Sequence, residues 1–264
     1  MKDYELIVVI PIYNETPSKT EKASLEQFSK AYDWRYDVRL ICPKHFSEDT
    51  VNLYIKLLNS LENTYVQYKR YDDRYFTSPE TYSQLLKTNT FYIDCSDYEY
   101  MLIFQTDCWA LNLSRLHSWC QRDFDYIGAP IMTNRLHWPS SPCCGNGGLS
   151  LRKISSFIKY TSNSRLIEKL NMNDIYRKYE DVFYCEGMSR YIYIDMPTWT
   201  ECAEFAWDMN PDILHKRNLE LPQIGIHAWD KNVPFWKDIL KIDEETYSAA
   251  CKDNSEFIHA YFNV

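Results

Sequence analysis

Tyr98-Glu-Tyr-Met-Leu-Ile-Phe-Gln-Thr-Asp107 decides how this sequence folds. Its first part is an apolar run of strand length, the pattern of a strand buried on both faces. The run ends in Gln105, Thr106 and Asp107, so it delivers an acid at its carboxyl end. Downstream, Cys143-Cys-Gly-Asn-Gly-Gly148 supplies a glycine turn. Ligands of open α/β sheets bind beyond the carboxyl ends of the strands. A buried strand that ends in an acid and is followed by such a turn has the layout of an active-site floor.

Towards the N-terminus, Leu6-Ile-Val-Val-Ile-Pro-Ile-Tyr13 is a second continuous apolar run, broken by Asn14, Glu15, Thr16 and Pro17. Leu25, Phe28 and Tyr32 then recur at helical spacing. Val38–Cys42 reads as a strand, Thr50–Leu61 as an amphipathic helix and Val66–Tyr68 as a third strand. This alternation predicts a parallel α/β sheet. Ser78 as N-cap and Pro79 in the first turn start a helix that reaches Lys87. Beyond the central strand we expect a helix at Leu113–Cys120, an extended Tyr126–Pro130, a strand at Leu149–Arg152 and a helix at Lys153–Tyr160. One helix over Arg165–Tyr179, another opening at Glu180, an outer strand at Tyr191–Ile194, an extended Leu221–Trp229 and a helical C-terminus complete the expectation. Without repeats or an obvious linker, the 264 residues read as one domain. Residues 1–107 read as its first half, 108–240 as its second half and 241–264 as a helical segment.

The charged fraction of 25% and hydrophobic fraction of 45% are those of an ordinary globular protein. Less ordinary are 22 Tyr and 8 Trp beside 6 Gly, since aromatic faces can line sugar or nucleotide sites as well as fill a core. A net charge of −8 argues against nucleic acid as a partner, which requires a basic footprint. It leaves room for an anionic nucleotide if a metal ion or a helix N-terminus supplies local positive potential. The nine cysteines form no Cys-x-x-Cys pair, so a zinc knuckle is not expected. No secretory signal and no apolar run of membrane-spanning length is visible. The expectation is a cytoplasmic protein with reduced thiols and at most peripheral membrane contact.

Four features can carry chemistry, and each has a plainer reading. Asp107 is a hard oxygen donor suited to Mg or Mn carrying a diphosphate, or the cap of a turn. Glu180-Asp181 offers a general base, or two acids complementing a helix dipole. Gly145-Asn-Gly-Gly148 lets a backbone approach a ligand closely, or makes a tight turn. His227 is a metal ligand or a hydrogen-bonded core residue.

Their order along the chain resembles that of the GT-A glycosyltransferases. Val8-Val-Ile-Pro-Ile-Tyr-Asn-Glu15 looks like the opening strand and loop on which the nucleotide docks, and Leu102-Ile-Phe-Gln-Thr-Asp107 sits where that fold places its Asp-x-Asp motif. Gly145-Asn-Gly-Gly-Leu-Ser-Leu-Arg152, Tyr179-Glu-Asp-Val-Phe183 and the later His227 follow the order seen in inverting galactosyl- and N-acetylglucosaminyltransferases. A closer resemblance is to a bacterial domain family catalogued as of unknown function. It is carried by Tyr75–Ser78, Ile103–Asp107, Asp125–Pro130, Gly145–Arg152 and Glu180–Phe183.

The resemblance implies an α/β GT-A fold with a single mixed, mostly parallel sheet flanked by helices. It also implies an inverting hexosyl- or N-acetylhexosaminyltransferase that uses a UDP-linked donor in surface polysaccharide biosynthesis. The acceptor is then a glycan or lipid-linked oligosaccharide. Pro11, Tyr13, Asn14, Glu15, Asp72, Asp73, Gln105, Thr106 and Asp107 would bind the donor. Asn146, Gly147, Gly148, Arg152, Trp109, Trp138 and Trp229 would form the sugar pocket. Asp181 would be the base, with Glu180 as runner-up, and Asp107 with His227 would hold a divalent cation, Mn or Mg. Gln105 departs from the pattern by replacing the first acid of Asp-x-Asp; it can still hydrogen-bond a hydroxyl, but one carboxylate fewer weakens a metal site. A catalytically degenerate scaffold that binds a glycan or nucleotide is the competing expectation. A nucleotidylyltransferase fits less well, because no glycine-rich, lysine-bearing signature follows the first strand.

Overall fold

The computed structural model describes residues 5–32, 36–58, 66–131, 145–217 and 219–262. The first half alternates as expected: β1 (Leu6–Pro11), α1 (Lys19–Ala31), β2 (Asp37–Pro43), α2 (Glu48–Leu58) and β3 (Val66–Tyr71). A 3-10 turn (Asp73–Phe76), α3 (Pro79–Leu85) and α4 (Asn89–Ile93) lead to the central strand β4 (Tyr100–Phe104). The chain continues through β5 (Trp109–Ala110), α5 (Leu116–Cys120), β6 (Tyr126–Gly128), β7 (Leu149–Lys153) and α6 (Ile154–Thr161).

The main sheet has the order β3-β2-β1-β4-β7-β6. The first four strands run parallel, and β7 is antiparallel to both β4 and β6. It is the mixed, mostly parallel sheet expected. The register of β7 on β4 pairs Phe104 with Leu149 and Tyr100 with Lys153. The carboxyl end of β4 therefore meets the start of β7, and Gln105 donates its amide to the Gly148 carbonyl at 3.0 Å.

Side chains alternate across a strand, and the two faces fill separate cores. Val8, Ile10, Leu40, Leu102 and Phe104 pack beneath α1 and α2, while Ile7, Val9, Met101 and Ile103 pack against α3, α4 and α6. A third core, built on Trp207, Trp229 and Trp236, sits beside a small sheet of order β5-β9-β8, where β8 is Ala206–Trp207 and β9 is Gly225–Ile226.

Three expectations are corrected. Tyr191–Ile194 is an irregular segment that joins neither sheet. Its exposed Tyr191 and Tyr193 imitate strand alternation, but the chain is steered by Asp195, whose amide donates to Asp125 Oδ2 at 2.8 Å. The helix over Arg165–Tyr179 is two helices, Ser164–Asn171 and Asp174–Lys178. Asn173 cuts it by accepting from the amides of Ile175 and Tyr176. The second helix of the first half begins at Glu48. Among the described residues no helix is long and apolar enough to cross a membrane.

Candidate active site

The glycines of Gly145-Asn-Gly-Gly148 join the two halves of the site. A Cβ on Gly148 would overlap the His227 ring, and one on Gly147 would overlap the Glu180 carboxylate. The absence of side chains there lets a metal-binding type of residue and an acidic pair approach the same two-residue turn from opposite sides. Gly145 takes φ +103°, a left-handed conformation that favours glycine.

On the β4 side, His227 follows β9 and faces three groups. Its Nε2 donates to Gln105 Oε1 at 3.1 Å and lies 3.3 Å from Asp107 Oδ1, and its Nδ1 is 2.9 Å from Asp208 Oδ1. Lys231 brings its ammonium to 3.6 Å from Asp107 Oδ2. Burial works against charge on the His227 ring, but Asp107 and Asp208 outweigh it and push its pKa up to about 10. Burial likewise disfavours ionised Asp107, yet His227 and Lys231 hold it well below the usual carboxylate range. Asp208 is tied in turn to Asn146, whose Nδ2 donates to Oδ2 at 3.0 Å while its Oδ1 accepts from the Gly148 amide at 2.9 Å.

Among the described residues no three His, Cys, Asp or Glu groups converge on a metal position. The donors here are instead one imidazole nitrogen, one carboxylate oxygen and one amide oxygen. The two oxygens suit Mn or Mg, and the imidazole favours a transition metal such as Mn. Asp208 occupies the place of the carboxylate that orients a metal-binding histidine through its other ring nitrogen. The residues present fit a divalent cation that replaces the Nε2 proton.

Opposite lie Glu180 and Asp181, at the start of a short helix (Glu180–Val182) that runs into a π-helical turn, Phe183–Gly187. The two acids differ in their partners. Glu180 accepts from Arg152 Nη2 at 2.7 Å and from Ser83 at 3.4 Å. Among the described residues Asp181 accepts only from backbone amides, Val182 at 2.7 Å and Gly147 at 3.3 Å. Burial and then the neighbouring Glu180 charge push the Asp181 pKa up to about 7, against the pull of those amides.

The remaining expected residues fall into three groups. Pro11 ends β1, and Tyr13 packs between Phe76 and Tyr82, with ring centroids at 6.1 and 5.4 Å. Asn14 and Thr106 both bond Glu21, at 3.3 and 2.9 Å, and the Tyr54 hydroxyl holds the Asn14 carbonyl, so the opening loop is braced against the end of β4. Glu15 is exposed beside them. Asp72 and Asp73 sit at the far edge of the sheet, where Asp72 caps the 3-10 turn and Asp73 accepts from the His45 amide at 3.1 Å.

Arg152 differs from its expected place in the sugar pocket. It has no exposed surface and bonds Glu180, Ser150 and the Tyr92 hydroxyl. Trp229 is likewise fully buried, edge-on to Trp109 and bonded to Ser24 at 2.8 Å, so it has no face to offer a sugar. Trp109 is half-buried, and Trp138 lies outside the described residues. Sequence reasoning missed Asp208, Lys231 and Glu21. Asp208 follows a two-residue strand too short to show a period, although a strand followed by an acid was the signal already used for Asp107.

A family model described as "Protein of unknown function (DUF5672)" matches residues 65–227. No curated protein has a sequence that matches this one. Among solved structures, the chain is similar to galactosyltransferase LgtC bound to donor and acceptor sugar analogues (TM-score 0.56, 11% identity, 84% of this chain and 86% of that one). It is similar to the glycosyltransferase GlyE of Streptococcus pneumoniae (0.53, 11%, 99% and 64%) and to the mannosyltransferase Ktr4p of S. cerevisiae with GDP (0.50, 9%, 75% and 68%). The chain thus spans about two thirds of the length of GlyE. At these identities the likeness shows the fold, and the fold is that of the GT-A glycosyltransferases.

Proposed function

The chain belongs to the DUF5672 family, and from that premise we propose that it is a glycosyltransferase that moves a sugar from a nucleotide-sugar, UDP-linked, to a glycan by inversion. The observation that carries this reading is the glycine pair, which seats His227 and Asp107 on one side and Glu180 and Asp181 on the other. A leaving diphosphate and an attacking hydroxyl need opposite kinds of help, and the two sides differ in that sense.

On the first side Asp107 and Asp208 balance His227 and Lys231, so the cluster by itself has no net positive charge to offer a diphosphate. Asp107, His227 and Gln105 would hold a divalent cation, whose chemistry is to neutralise charge on the departing phosphates. Lys231, partly exposed, would add a direct contact to them. The braced opening loop, Tyr13 to Glu15, supports the nucleotide, with Asp72 and Asp73 further out along the strand ends.

On the second side Asp181 is the base. Its carboxylate is free of any cation partner in the described contacts and its pKa lies near neutrality, where a base both exists and accepts a proton well. Glu180 is engaged by Arg152 and positions the pair. Asp181 takes the proton of the acceptor hydroxyl as the oxygen attacks the anomeric carbon and the nucleotide leaves. The acceptor, a glycan or lipid-linked oligosaccharide of a surface polysaccharide, is a reading supported by the motif resemblance.

Asp107→Ala is the test of the donor side. Removing one electrostatic stabiliser of the leaving group should lower turnover by about 10²–10³ and abolish its response to Mn2+, read as rate against metal concentration. A variant with full, Mn-stimulated turnover contradicts the assignment.

A further inference from the structure

Tyr82 is only 3% exposed, and its hydroxyl has no hydrogen-bond partner among the described residues. The buried tyrosines around it all have one. Tyr92 and Tyr184 donate to the Leu86 carbonyl at 2.9 and 3.0 Å, and Tyr126 donates to the Gly145 carbonyl. An unmet buried hydroxyl is unfavourable by about 1–3 kcal/mol, so its persistence here asks for a partner that the described residues do not supply.

The position of Tyr82 indicates what that partner is. Its ring meets Tyr13 edge-on at 5.4 Å, and the Tyr13 hydroxyl comes close enough to act on it as a weak partner, short of full hydrogen-bond geometry. The next residue, Ser83, bonds Glu180. The Tyr82 hydroxyl lies in the field of Glu180 and Arg152, and Tyr13 in the fields of both Asp107 and Glu180. The pair is thus within electrostatic reach of both the side that would take the leaving group and the side that carries the acidic pair. In the proposed reaction the group between those two sides is the sugar in transit.

We propose that the Tyr82 hydroxyl is a specificity contact, bonding a hydroxyl of the transferred sugar while the Tyr13 ring walls that sugar in. This rests on the glycosyltransferase reading and adds to it a residue that binds the sugar rather than the nucleotide. A hydroxyl on the protein can donate to or accept from a sugar hydroxyl. A site built around such a bond also rejects a donor that lacks the matching group, because the buried tyrosine is then left unpaired again.

The experiment is calorimetric titration of wild type and Tyr82→Phe with UDP, GDP, UDP-glucose, UDP-galactose, UDP-N-acetylglucosamine and GDP-mannose, together with thermal melts. Removing only an unpartnered oxygen should leave the melting temperature equal or higher. The preferred nucleotide-sugar should bind the variant roughly tenfold more weakly, the worth of one good hydrogen bond, while its parent nucleotide binds both proteins alike. Equal binding of the nucleotide-sugar to the two proteins overturns the proposal and leaves the glycosyltransferase reading standing. So does an equal loss for nucleotide and nucleotide-sugar. If the wild type binds none of the six, the glycosyltransferase reading and this proposal fall together.

Discussion

Asp181→Asn is expected to fold and to lower sugar transfer by about 10²–10⁴, the usual contribution of a general base. The amide is isosteric, and its one oxygen can still accept from the Val182 amide, so only the longer Gly147 contact is given up. What it cannot do is take a proton. The same residue sets a pH dependence. With its pKa raised to about 7, the wild-type rate should rise with pH through that value and level off above it. Stability should move the other way. A carboxyl whose folded pKa exceeds its unfolded value favours the fold below the unfolded pKa, near 4, and loses that contribution as pH rises through about 7. Asp181→Asn should therefore gain stability over the wild type at pH 8, with the margin shrinking towards pH 4. An active variant, or a rate flat between pH 5 and 8, contradicts the assignment of the base.

The second large effect is on stability. Arg152 is fully buried against Glu180, and removing one partner of a buried ion pair leaves an uncompensated charge, a loss of about 3–5 kcal/mol. Arg152→Met should show that loss in urea unfolding. Most of it should return in Arg152→Met/Glu180→Gln, where no charge remains. A single variant as stable as the wild type would mean that the pair does not hold the acidic side of the cleft in place.

The legible parts of the fold were those where burial writes directly onto the chain. Leu6–Pro11 and Tyr100–Phe104 are continuous apolar runs because both faces of these strands are covered. Ser78 announced a helix start because its side chain meets a backbone need, accepting from the amide of Thr81. Tyr191–Ile194 misled because exposed tyrosines can alternate without any partner strand. The small sheet was invisible because pairs of two residues carry no period.

In the site, Asp107, Gly147, Gly148, Glu180, Asp181 and His227 could be picked out, since each is an unusual residue type at the end of a regular element. Their roles could not be separated. Nothing in Glu180-Asp181 shows that Arg152 takes one acid and leaves the other. That division comes from a strand residue buried 28 positions away in sequence. Asp208 was hidden for a similar reason, because it acts through His227 and meets it only across the small sheet.

The most direct measurement is turnover of a panel of UDP- and GDP-sugars by the wild-type protein, with Mn2+ and with EDTA. The account predicts that one nucleotide-sugar is cleaved to nucleotide diphosphate and free or transferred sugar, faster with Mn2+ than with EDTA. Nucleotide binding with no turnover of any donor would contradict it, and would make this chain a binding protein on a glycosyltransferase scaffold.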